Sequence, residues 1–100
     1  MTLSLNKIQL LIDYFRAKPV TTVYLFGSYA RGDAGKKSDV DLILESDFDA
    51  ERHVSVRSCK RDLNALLSIR TDIYLHHQLP KRIWQSLSKE TILIYKKWPI

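Results

Sequence analysis

Two aspartates, Asp39 and Asp41, stand two positions apart at the head of the run 40–44 (Val-Asp-Leu-Ile-Leu). Side chains alternate along a strand, so both acids point the same way. Like charges this close repel, and burying them unpaired is costly. A divalent cation relieves the conflict. Hard ions such as Mg²⁺ take oxygen ligands, often one or two carboxylates plus substrate phosphates. Asp72 opens another strand-like run after Thr71. If that strand lies beside the first, Asp72 completes a three-carboxylate cluster able to hold two ions. Two ions suit an in-line displacement in which a hydroxyl attacks and pyrophosphate leaves. Asp72 would sit nearest the attacking oxygen and help deprotonate it.

Gly27-Ser28 supplies the complementary half. A glycine just after a strand lets backbone approach a ligand closely. Amides at the start of a following helix bind phosphate oxygens, and the Ser28 hydroxyl adds one more hydrogen bond. A strand, Gly-Ser and helix would thus hold a triphosphate while the aspartates hold its metal.

These residues need elements to carry them. Ile8, Leu11, Ile12 and Phe15 repeat at helical spacing, which predicts a helix over about 4–17, started by Ser4 or Asn6 and ended before Pro19. The β-branched and aromatic stretch 21–26 predicts a strand that stops at Gly27. Residues 28–32 allow one or two helical turns, 33–38 read as a loop, and 39–44 as the second strand. The capping residues of 46–49 suggest a helix start. A helical stripe follows through Val56, Cys59, Leu63, Leu66 and Leu67. Residues 72–76 form the third strand, and Pro80 begins a helix whose apolar side is Ile83, Trp84 and Leu87. The run 91–95 is a final strand or the end of that helix. The order α-β-α-β-α-β-α-(β) indicates an α/β (α+β) domain, a sheet with helices packed on it. The first two strands could be linked as a hairpin carrying a small helix or as a parallel crossover.

One hundred residues suit one domain, spanning 1–100. The 45% hydrophobic and 27% charged content excludes a disordered or collagen-like chain, and no apolar run reaches a membrane span. The lone Cys59, with no zinc-type Cys/His spacing and no signal peptide, points to a reducing, cytoplasmic setting. A net charge of +5 favours anionic partners without choosing among them.

Gly27-Ser28, ten intervening residues and Asp39-Val40-Asp41 resemble the signature of the DNA polymerase β-like nucleotidyltransferase superfamily. The longer form Gly-Ser-x-Ala-Arg-Gly-Asp…Ser-Asp-x-Asp-Leu, which brings in Arg31 and Ser38, is similar to that of the small minimal nucleotidyltransferase (MNT) domains. The resemblance implies a mixed β-sheet flanked by helices, Mg²⁺ as cofactor and ATP as substrate. It implies metal binding by Asp39, Asp41 and Asp72, and nucleotide binding by Gly27, Ser28, Arg31 and Ser38. It implies an antitoxin whose partner is a HEPN-type helical toxin, neutralised by transfer of AMP to a tyrosine, by binding, or by both. The larger relatives' second, acceptor-binding domain has no counterpart here, so a partner protein or a homo-oligomer would supply the acceptor surface.

Plainer readings apply elsewhere. Asp72 could be a strand-edge acid paired with Arg70. Arg31 could brace the loop through a carboxylate. Lys36 and Lys37 read as a solvated pair, and Arg52, Arg57, Lys60 and Arg61 as one wet helix face. That basic face lacks the interleaved aromatics of an RNA-binding motif, so nucleic acid is not the expected ligand. His76 and His77 are adjacent on a strand and face opposite ways, which disfavours a shared metal. Cys59 reads as a small core residue, and Trp84 and Trp98 as core or interface. The competing functions are a transferase acting on a protein, a binding antitoxin without catalysis, and a transferase with a small-molecule acceptor.

Overall fold

Helix α1, Leu5–Arg16, starts where the Ser4 side chain accepts the Lys7 amide, and buries Leu11 and Phe15. Of the two expected caps, Ser4 is the one used. In this computed structural model the described residues are 1–46 and 55–97. Strand β1 is Thr22–Phe26, the short helix α2 is Ser28–Arg31, and strand β2 is Val40–Glu45. Helix α3, Val56–Leu67, is capped by Ser55 and buries Cys59, Leu63 and Leu67. Strand β3, Thr71–Leu75, runs into a 3-10 turn at His76–Gln78. Helix α4, Lys81–Leu87, follows Pro80, and after a 3-10 turn at Ser88–Glu90 strand β4, Ile92–Lys96, ends the described fold.

The sheet has the order β3-β2-β1-β4. β1 pairs antiparallel with both β2 and β4, whereas β2 and β3 are parallel. The link between the first two strands is therefore the hairpin that carries α2, and the sheet is mixed. The terminal segment is a strand, its apolar run Ile92 to Tyr95 pairing along the otherwise open edge of β1. Its pairing contains an irregularity between Val23 and Tyr24.

One sheet face is dry. Val23, Leu25, Val40, Leu42 and Leu44 pack with Leu11, Phe15, Leu63 and Leu67 into a single core. Burial of such side chains stabilises by about 1.5–3 kcal/mol each. By alternation and register, Tyr24, Phe26, Asp41, Ile43, Asp72 and Tyr74 share the opposite face. Trp84 of α4 leans over it, 5.3 Å from the Tyr24 ring and 4.5 Å from the His76 ring. α3 is locked to β3 by Asn64, whose Oδ1 accepts the Thr71 amide at 2.7 Å and the Thr71 hydroxyl at 2.9 Å.

Three expectations need correction. His76 belongs to the 3-10 turn rather than to β3. Leu66 stays 46% exposed at the flank of the α3 stripe, so that stripe is narrower than its spacing suggested. Helix α4 buries no residue fully, and Ile83 is exposed, because α4 lies on the open face and not against the core. The helix start expected over 46–49 lies, apart from Ser46, outside the described residues, as do Arg52, His53 and Trp98. Cys59 is a buried free thiol, as expected of a core residue. No helix among the described residues is long and apolar enough to cross a membrane.

Candidate active site

The Gly-Ser turn sits where β1 ends and α2 begins. Gly27 has φ +76°, a backbone region that L side chains rarely adopt. A Cβ there would collide with the Asp41 carboxylate oxygen Oδ2. Two constraints, backbone and space, thus select glycine, and the close neighbour is Asp41 from the paired strand. The Gly27 carbonyl accepts the Ala30 and Arg31 amides, each at 3.1 Å, and the Ser28 carbonyl accepts those of Gly32 and Asp33. With the Ala30 and Arg31 amides so engaged, the amides at the start of α2 that suit an anion are those of Ser28 and Tyr29.

The loop after α2 delivers Asp39. Ser38 closes it with two reciprocal bonds: its Oγ accepts the Gly35 amide at 2.8 Å, and its own amide donates to the Gly35 carbonyl at 3.1 Å. In this arrangement Ser38 shapes the loop that presents Asp39. Arg31 bonds Asp33 through Nε at 3.2 Å and reaches Glu90 through Nη1 at 3.9 Å. It braces the loop, and its charge also lowers the Asp41 pKa.

Parallel pairing puts Asp72 directly beside Asp41. The adjacency that the three-carboxylate reading required is therefore present. The consequence is visible at Asp41, whose pKa is pushed up to about 6 by burial first, then by Asp72 and Asp39, with Arg31 opposing. The side chains do not converge, however. Among the described residues no three Asp, Glu, His or Cys side chains are gathered closely enough to hold one ion. Asp72 instead bonds Lys60 of α3, with Nζ 3.3 Å from Oδ1. The plainer reading of Asp72 as an ion-paired acid is thus partly realised, with Lys60 in place of Arg70.

Beside Asp39 lies an open cleft of about 350 Å³, lined in part by Lys36, Lys37, Arg70 and Tyr29. Sequence reading left the two lysines in solvent. Pairing of the Arg70 carbonyl with the Val40 amide, at 2.9 Å, brings the start of β3 to the same rim. The contact that sequence reasoning missed is that of Lys60, which only the helix-to-strand packing reveals. Arg70, read there as a possible partner of Asp72, lines the cleft instead.

By chemical type, though not by their present spacing, the three acids suit a hard divalent cation, and the charged form of Asp41 is disfavoured by burial first and then by the other two. His76 pairs with Glu45 at 3.7 Å when protonated and stacks edge-on against Trp84, away from this set.

The family described as polymerase beta nucleotidyltransferase matches residues 9–99. A protein adenylyltransferase MntA from Thermococcus cleftensis is 28% identical over 75 residues, which is 75% of each chain. A chain of a toxin–antitoxin crystal structure with AMP-PNP superimposes with a TM-score of 0.71 at 21% identity, covering 96% of this chain and 76% of its own. A chain from the complex of a tri-AMPylated Shewanella oneidensis HEPN toxin with its MNT antitoxin gives a TM-score of 0.66 at 16% identity, covering 92% and 71%. At these identities the two solved structures speak for the fold.

Proposed function

Because the chain belongs to the polymerase β nucleotidyltransferase family, we propose that it transfers AMP from ATP to a hydroxyl of a partner protein and acts as an antitoxin. The acceptor is a tyrosine of a HEPN-type helical toxin. The similarity to an MntA protein adenylyltransferase and to chains from toxin–antitoxin complexes supports this reading.

The single observation that carries the chemistry is the placement of Asp41: against Gly27 on one side and in register with Asp72 on the other. Phosphate-binding amides and acids thereby meet at one end of the sheet. The Gly27-Ser28 turn and the Ser28 hydroxyl hold the phosphates, Arg31 balances charge, and Ser38 keeps the loop shaped for them. Asp39, Asp41 and Asp72 would hold Mg²⁺, with two ions expected. Bound there, Mg²⁺ would offset the charge of the phosphates and of the departing pyrophosphate. The acceptor oxygen attacks the α-phosphorus and forms a P–O bond. The bond from the α-phosphorus to the bridging oxygen breaks, and pyrophosphate leaves with that oxygen. Asp72 takes the hydroxyl proton.

The test is transfer of label from α-³²P-ATP, with Mg²⁺, to a HEPN-type protein co-expressed with this chain. Label on the partner, lost in the Asp39→Asn/Asp41→Asn double variant, is the expected result. A stable complex that never acquires label would replace the reading with a binding antitoxin.

A further inference from the structure

Lys60 was one of four basic residues assigned to a solvated helix face, yet its ammonium lies 3.3 Å from Asp72 Oδ1. Both side chains are partly shielded, at 44% and 34% exposure. The contact is not an accident of a loose surface. Asn64, one turn further along α3, grips both the amide and the hydroxyl of Thr71, the residue before Asp72. The Thr71 hydroxyl also reaches the Lys60 carbonyl at 3.5 Å. Helix and strand are thereby fixed to each other at Thr71, next to the ion pair. Only the lysine stem and the short aspartate side chain remain to move.

We infer that Lys60 is a latch on the third carboxylate, which competes with the divalent cation for Asp72 and so sets how much metal the site demands. This rests on the metal-binding reading of the three aspartates. An oxygen bonded to an ammonium is not free for a hard cation, and two cations on one carboxylate repel. A lysine suits the task, being a compact charge on a flexible four-carbon stem that can swing into solvent once an ion arrives. Lys60 is a positioning residue: it acts on the reacting groups only through Asp72.

The test counts free Mn²⁺ by electron paramagnetic resonance during titration of the full chain. Lys60→Met should lower the Mn²⁺ Kd about two- to fivefold, the range expected on losing one partly exposed ion pair. Lys60→Arg, which keeps the charge, should stay near wild type. In an Asp72→Asn background, Lys60→Met should change nothing, because the latched oxygen is already altered. Circular dichroism melts check that each variant folds. An unchanged or weaker Kd for Lys60→Met overturns the latch. So does an equal gain in the Asp72→Asn background, which would mark a general charge effect. If wild type itself binds no Mn²⁺ at millimolar concentration, the metal reading fails, and the latch with it.

Discussion

Asp41→Asn should stabilise the metal-free protein while abolishing transfer. The charged form of Asp41 is disfavoured in the fold, with a pKa near 6 against 3.8 for the free side chain. That gap of roughly two units corresponds to at most about 3 kcal/mol at 1.36 kcal/mol per unit. The group is only half-buried, and solvent screening reduces the figure to about 1 kcal/mol. A folded-state pKa above the unfolded one means the cost is absent only well below the unfolded value of 3.8, grows as pH rises from there through 6, and is complete by pH 8. Asparagine removes the charge at every pH. For a domain of this size, about 1 kcal/mol is a Tm increase of roughly 4–8 °C. Thermal melts of wild type and variant in EDTA, from pH 4 to pH 8, read it directly. The difference should be smallest at pH 4 and full at pH 8. Adding Mg²⁺ should raise the wild-type Tm and narrow the gap. A variant no better at pH 8 than at pH 4, or less stable than wild type throughout, would refute the claim that crowded acids strain this site.

Three further outcomes are expected. Gly27→Ala should lose about 1–3 kcal/mol in urea unfolding from its positive φ, with an added collision against Asp41 that shrinks in an Asp41→Ala background. Asn64→Ala should cost about 1–3 kcal/mol, because the fully buried Thr71 loses the acceptor of its amide and its hydroxyl; urea titration checks this too. Tyr14 donates to Asp62 at 2.7 Å, which holds the Asp62 pKa down, while burial and that bond raise the Tyr14 pKa. Their stabilising effect should be present between about pH 4 and pH 10 and fade as pH falls below or rises above that window. Tyr14→Phe should therefore flatten the Tm-against-pH curve at both ends.

Periodicity made the order of elements legible. The stripe Leu11–Phe15 and the apolar run of β2 fall in the core because a single hydrophobic face has one place to go. Pairing direction was not legible, since a thirteen-residue link between β1 and β2 permits either sense until α2 is seen folded within the hairpin. The site was half visible. Gly27, Asp39 and Asp41 announce themselves by type and spacing. The neighbourhood of Asp72 depends on which strand β3 joins, and Lys60 depends on how α3 lies across it. A basic helix face looks alike in sequence whether it meets water or one acid. Ser38 and Arg31 are expected site residues by motif, and their bonds to Gly35 and Asp33 emerge only from the folded loop.

The two halves of the site differ in when they can exist. Gly27 and Asp41 meet across an antiparallel hairpin, a local pairing with a short loop to close. Asp72 joins through parallel pairing, which needs the α3 crossover to fold back first. Pairings of this longer range form slowly. A chain still growing would therefore bring Asp41 against Gly27 before Asp72 could arrive beside it. The pairing of β3 with β2 is thus the folding step that completes the set of three acids on which the proposed transfer depends.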